Sequence, residues 1–195
     1  MIYLLLILGA YLIGSIPVGV LLSRLKGKDP RKTGSGNIGA TNVLRTAGKV
    51  LGIMTLLGDI LKGFIPTMMA IQWGEPRLII ALIGFAVFFG HLFPVFLKFR
   101  GGKGVSTALG VYLALDPLAI LISVVVFIVV FLIWRYVSVS SLGGAGTIPF
   151  TLFILNAPDE YIVLALVVVV LIYIKHKDNI KRVIAGTENK VSFSK

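Results

Sequence analysis

The chain has 195 residues, no cysteine, 57% hydrophobic and 14% charged residues, yet 19 Lys and Arg against 8 Asp and Glu leave it at +11. Such a composition excludes intrinsic disorder, which needs low hydrophobicity, and a water-soluble core, which at this length cannot bury so much apolar surface. Disulfides, thiolate nucleophiles and Cys-ligated metals are also excluded, and lipid becomes the expected solvent.

Residues 1–23 form the first predicted span, uncharged up to Arg24. They lack a basic n-region and a small-residue cleavage site, so a retained helix is expected and not a signal peptide. A basic loop follows, carrying Thr33-Gly-Ser-Gly-Asn-Ile-Gly-Ala-Thr-Asn-Val-Leu-Arg45. Its glycines allow tight turns that expose N–H groups to an anion. Ser35 or Asn37 is expected to N-cap the helix leading into the second span. Thr41 and Arg45 are four residues apart on one helix face, and Arg45 suits a bidentate phosphate or carboxylate. No Walker lysine pattern accompanies them, which argues against a nucleotide P-loop.

Residues 50–73 are the second span. Asp59 and Lys62 lie inside it at i,i+3, where ionisable groups are costly and usually paired or functional. Their candidate partners are each other, Arg45 or Arg135, in structural support. The third span, 78–97, contains His91, expected as a structural histidine bonded to a loop carbonyl. A second cluster then centres on Arg100-Gly-Gly-Lys-Gly104 and runs to Thr107. Backbone N–H groups of Gly101, Gly102 and Gly104 and the charge of Lys103 suit a phosphate, with Thr107 a further binding candidate.

Val105–Leu115 is apolar but only eleven residues long. As a helix it covers about 16 Å, so it is a thin span or a re-entrant segment. Residues 118–134 are a clear span. Arg135, Ser138, Ser140 and Ser141 are expected to cap its end, with Ser141 a candidate for an anion site. Residues 142–155 and 161–174 complete the set. The third cluster follows: His176 and Asn179 share a helix face and suit orienting a hydroxyl or phosphate. Asp178 and Arg182 are expected as an exposed pair, Gly186 as a helix stop, and Glu188 as an ion-paired tie for the tail. The plainer reading of this whole stretch is a basic tail on anionic lipid.

Sorted by connection, seventeen of the Lys and Arg fall on one set of loops and only Arg77 on the other, with Lys62 inside a span. The positive-inside rule places the basic set in the cytoplasm. The expected fold is therefore an all-α polytopic integral membrane helix bundle, a single transmembrane domain over residues 1–195. Seven helices are expected, N-terminus outside and C-terminus cytoplasmic; five, with two short pieces as hairpins, is the next choice. Most cations, such as Lys26, Lys28, Lys181 and Lys195, are read as topological charges. Arg45 and Lys103, among glycines and hydroxyls, are read as phosphate ligands.

Few titratable groups accompany these anion sites. Two distant histidines and no paired carboxylates do not support metal ligation. No Ser-His-Asp order can be assigned, and no His is followed at four residues by Asp. Acyl transfer can still proceed electrostatically, when N–H donors polarise the carbonyl and a phosphate leaving group accepts the proton of the attacking hydroxyl.

Taken together, Ser35–Arg45, Gly90–Thr107 and His176 to Asn179 with Ala185-Gly-Thr-Glu188 resemble, in order, the three motifs of the bacterial acyl-phosphate:glycerol-3-phosphate acyltransferases. The resemblance spans nearly the whole chain, with two long motifs and a shorter third. It implies transfer of a fatty acyl group from acyl phosphate to the sn-1 hydroxyl of glycerol 3-phosphate, giving lysophosphatidic acid and phosphate, an early step of phospholipid synthesis. It implies an inner-membrane enzyme that needs no cofactor, with membrane lipids around it and no nucleic acid. The enzyme that makes acyl phosphate is a candidate partner. By the same resemblance, Ser35 and Arg45 belong to the motif of catalysis and phosphate contact. Gly101, Gly102, Lys103 and Gly104 match the glycerol-3-phosphate loop, His176 and Asn179 the essential positions of the third motif, and Glu188 its structural acid. One departure is Ser106, where alanine is familiar. The alternative from another class is a small transporter or flippase for an anionic or phosphate-containing solute, which would need access from both faces.

Overall fold

The computed structural model describes residues 1–191, which fold into α-helices with no strand among them; Lys195 lies outside the described residues. The helices are α1 (Ile2–Ser15), α2 (Val18–Arg24), α3 (Ala40–Ala47), α4 (Lys49–Gln72), α5 (Arg77–Leu92), α6 (Val105–Leu115), α7 (Pro117–Trp134), α8 (Val137–Ile154), α9 (Asp159–Lys175) and α10 (Lys177–Ile184). Backbone polar groups in lipid must be satisfied within their own segment, which is why long apolar stretches become helices. Five segments are long and apolar enough to cross a membrane: Ile2–Arg24, Lys49–Gln72, Arg77–Leu97, Pro117–Trp134 and Val137–Ile154. The other two predicted spans fall on shorter helices, α6 with 11 residues and α9 with 17.

Two boundaries differ from expectation. The first span is broken, because Ile16 is extended ahead of Pro17, which has no N–H to continue the ladder. The eighth helix begins at Val137, not at 142, and takes in the serines expected to cap its predecessor. Ser140 and Ser141 donate their hydroxyls to the carbonyls of Tyr136 and Val137, both at 2.8 Å, so they sit comfortably inside a helix. The end of α7 is closed instead by Arg135, in the left-handed region at φ 58, whose N–H reaches Phe131 O.

The described chain divides into two compact units, Met1–Leu115 and Asp116–Lys195. Apolar burial drives little helix association in lipid, so close backbone approach at small residues does the work. In the N-terminal unit α4 crosses α6 at Gly63 and Gly110, where a Cβ would land on the carbonyls of Thr107 and Ile60. In the C-terminal unit Ser123 Oγ in α7 donates to the Gly144 carbonyl of α8 at 2.6 Å. Large apolar side chains point outward, among them Leu132 and Phe153 at 64% and 72% exposure, a surface that suits acyl chains and not water.

Candidate active site

In the N-terminal unit the first glycine-rich loop is folded around one side chain, Asn42, which is 2% exposed. Its Nδ2 donates to the carbonyls of Pro30 (2.8 Å), Thr33 (3.1 Å) and Asn37 (2.7 Å), and its Oδ1 accepts the Ser35 N–H at 2.9 Å. Sequence reasoning missed Asn42, although it lies inside the quoted motif. The only signal was a helix-disfavoured amide among turn residues. Neither Ser35 nor Asn37 caps α3. Gly39 is the N-cap, and Asn37 Oδ1 accepts the Gly39 N–H instead, at 2.8 Å. Nor does α3 run on into the span, because Gly48 at φ 101 separates it from α4.

The loop therefore spends several N–H groups on itself, those of Ser35, Gly36 and Gly39 included. Two of the cations in this loop are already committed to partners. Arg31 forms a bidentate pair with Asp29, with Nε–Oδ1 at 2.9 Å and NH2–Oδ2 at 2.6 Å. The Arg31 bonds hold the Asp29 carboxyl down at about 2, outweighing its slight desolvation. Lys28, expected to be a topological charge, donates Nζ to the Thr46 carbonyl at the end of α3, where a cation meets the negative end of the helix. Arg45 is different. It is exposed on α3, as is Thr41, and among the described residues no acid pairs with it.

The second glycine loop lies against the end of α5. Gly102 N–H donates to the His91 carbonyl at 3.1 Å, so that donor is already used. A Cβ at Gly101 would meet the His91 carbonyl, and one at Gly102 would meet His91 Nε2. Lys103 is half-buried just ahead of α6. Thr107 is 0% exposed, and its hydroxyl has no hydrogen-bond partner among the described residues.

Asp59 and Lys62 pair with each other at 2.8 Å, and His91 Nδ1 lies 3.6 Å from the same Asp59 oxygen. Beside the α1–α2 break is a groove of about 340 Å³ lined by Ile16, Pro17, Val20, Leu21, Phe96 and Leu97, with Arg24 also in its wall.

In the C-terminal unit His176 is buried at the junction of α9 and α10. Its Nδ1 lies 2.8 Å from the Ile172 carbonyl, which can only accept, so Nδ1 carries the proton and Nε2 is the acceptor in the neutral ring. Asn179 donates Nδ2 to Glu188 Oε1 at 2.6 Å. Glu188 also accepts from Ser138 Oγ and Arg182 Nε, each at 2.7 Å. Arg182 thus pairs with Glu188 and not with Asp178. Burial would push the Glu188 carboxyl up, but the bonds from Asn179, Ser138 and Arg182 outweigh it and hold it below its ordinary value. Ser141 turns its hydroxyl back into α8. Gly186 at φ 69 follows the end of α10, with Thr187 N–H returning to the Arg182 carbonyl.

Comparisons agree with this architecture. The sequence model of a family described as glycerol-3-phosphate acyltransferase matches residues 4–186. The glycerol-3-phosphate acyltransferase of Geotalea daltonii is 48% identical over 94% of this chain and 95% of its own length. That of Aquifex aeolicus is 42% identical over 96% of this chain and 98% of its own. A crystal structure of PlsY, an integral membrane glycerol 3-phosphate acyltransferase in its glycerol 3-phosphate form, superposes with a TM-score of 0.95 at 40% identity, covering 98% of this chain and 96% of that one. The same protein's lysophosphatidic acid form gives a TM-score of 0.93. With these matches running nearly end to end, on a helical membrane fold, this chain belongs to the glycerol-3-phosphate acyltransferase family.

Proposed function

We propose that the chain transfers a fatty acyl group from acyl phosphate to the sn-1 hydroxyl of glycerol 3-phosphate, releasing lysophosphatidic acid and phosphate. The setting proposed is the cytoplasmic face of a bacterial inner membrane, with seven crossings and the N-terminus outside, because that arrangement puts the basic loops on one side. The observation that carries the reading is the division of cations in the first loop. Arg31 and Lys28 are committed to Asp29 and Thr46, while Arg45, beside Thr41, is left for an anion. Both substrates carry phosphate. The solved relative was captured with glycerol 3-phosphate and with lysophosphatidic acid, the acceptor and product of this reaction.

In the proposed step the glycerol oxygen attacks the acyl carbonyl carbon. The bond from that carbon to the phosphate oxygen breaks, and the departing phosphate takes the hydroxyl proton. Little is left for a side-chain base, and stabilisation of the developing oxyanion matters most. Arg45 and Lys103 are assigned the phosphates. Ser35 is assigned hydroxyl contact, with Asn37, Thr41, Gly101 and Gly104 as supporting binding positions. Gly102 contributes shape and not its N–H, which His91 holds. Thr107 is assigned to the α4–α6 crossing instead of to substrate, because it is enclosed. His176 and Asn179 are assigned hydroxyl orientation on the family resemblance. The groove along Val20, Leu21 and Phe96 has the apolar lining an acyl chain needs.

The test uses purified protein with acyl phosphate and glycerol 3-phosphate, with lysophosphatidate and phosphate quantified in parallel. Equimolar release of both is expected, with no product from acyl-CoA or acyl carrier protein. A folded sample that gives product only from a thioester donor overturns the donor assignment.

A further inference from the structure

Asp59, Lys62 and His91 are 2%, 7% and 4% exposed, inside helices that cross the membrane. Their contacts form a chain. The Ile16 carbonyl, at the Pro17 break, accepts from Lys62 Nζ at 3.0 Å. Lys62 Nζ lies 2.8 Å from Asp59 Oδ1, and that oxygen faces His91 Nδ1 at 3.6 Å. His91 then holds the second glycine loop at two points. Its carbonyl accepts the Gly102 N–H, and its Nε2 edge fills the space a Gly102 side chain would take.

A buried ion pair is a weak source of stability, since apolar residues of equal volume often do as well. Lys62 and Asp59 already satisfy each other and the freed Ile16 carbonyl, so stability alone does not call for a third ionisable group. What the histidine adds is a rigid plate of fixed orientation beneath the loop. We infer that His91 is a positioning residue for substrate, its ring set by the Asp59–Lys62 pair and acting on glycerol 3-phosphate through the Gly101–Lys103 backbone. This rests on the reading of that loop as the glycerol-3-phosphate site. It predicts that binding of the phosphate acceptor depends on side chains buried in the membrane core.

The experiment compares His91→Ala, His91→Asn, Asp59→Asn and Gly102→Ala with the parent protein in detergent. Amide hydrogen exchange of the 100–104 segment is measured without substrate, and KM is measured for each substrate. Exchange in that segment should rise about 10-fold in His91→Ala while α7–α10 stay unchanged. KM for glycerol 3-phosphate should rise about 10-fold or more, with less than about a 2-fold change for acyl phosphate. His91→Asn, which retains a polar group near the Nδ1 position, should recover part of the loss, and Gly102→Ala should reproduce it from the loop side. A loop whose exchange is unchanged in both His91→Ala and Asp59→Asn overturns the inference. So does an equal rise in both KM values, which marks a general loss of structure. If the parent protein acylates no glycerol 3-phosphate, the proposed function fails, and the exchange measurement still decides the link between His91 and the loop. Should His91→Ala not fold, Asp59→Asn and Gly102→Ala decide between the same two outcomes.

Discussion

Asn42 Oδ1 accepts the main-chain N–H of Ser35 at 2.9 Å, and that bond sets where the Ser35 hydroxyl stands. The same amide ties Pro30, Thr33 and Asn37 to α3, so one buried side chain replaces the regular hydrogen bonding that a glycine-rich loop lacks. Asn42→Ala removes four hydrogen bonds and leaves the buried Pro30 carbonyl unmet. A loss of about 2–4 kcal/mol is expected. Thermal unfolding in detergent measures it, and acyl transfer should fall with it even below the melting range.

Arg45→Ala should behave in the opposite way. The side chain is exposed and makes no ion pair among the described residues, so the melting temperature should not move. Charge-assisted bonds to a phosphate are worth about 1.5–3 kcal/mol, so kcat/KM should drop roughly 10- to 100-fold. Arg31→Ala serves as the control. It removes an equal charge from the same loop but one committed to Asp29, and steady-state kinetics should show little change.

Glu188 links the tail to Ser138, Asn179 and Arg182, and its carboxyl is held below the ordinary value. A depressed carboxylate stabilises the fold above its unfolded value, near 4.5, and loses that contribution as pH falls through its folded value. The parent protein should therefore lose melting temperature from about pH 5 downward. Glu188→Gln should show a lower melting temperature at pH 7 and a flatter acid slope. A parallel slope in the two proteins would assign the acid sensitivity elsewhere.

His176 donates Nδ1–H to the Ile172 carbonyl, which fixes the ring at the junction of α9 and α10. In the proposed reaction the phosphate takes the proton, so His176→Asn should lower kcat by about 10- to 100-fold without changing the shape of its pH profile. Disappearance of a limb of the pH profile in that variant would identify His176 as the base.

At the crossing of α4 and α6, a Cβ at Gly110 would strike the Ile60 carbonyl. Gly110→Ala should cost about 1–3 kcal/mol through forced separation of the two helices. Denaturation in detergent checks it, and Gly9→Ala, within α1 and with open space around it, gives the scale for a glycine change without a clash.

By itself the sequence determined that this is a helical membrane protein, roughly where its helices lie, and which family its motifs resemble. These are local properties. An apolar stretch of about 20 residues must close its own hydrogen bonds in lipid, and prolines and glycines end it visibly. The sequence also displayed Pro17, yet the break it makes was legible only once the Ile16 carbonyl was seen meeting Lys62, 46 residues away. The division of the cations was hidden for the same reason. Lys28, Arg31 and Arg45 look alike in a list of charges, and only folding shows that the first two already have partners. Ser138 and Glu188 are 50 residues apart, and His91 reaches both Asp59 and Gly102. Tertiary structure decided these pairings because a hydrogen bond depends on distance in space to within tenths of an ångström, and sequence spacing sets that distance only along a single helix.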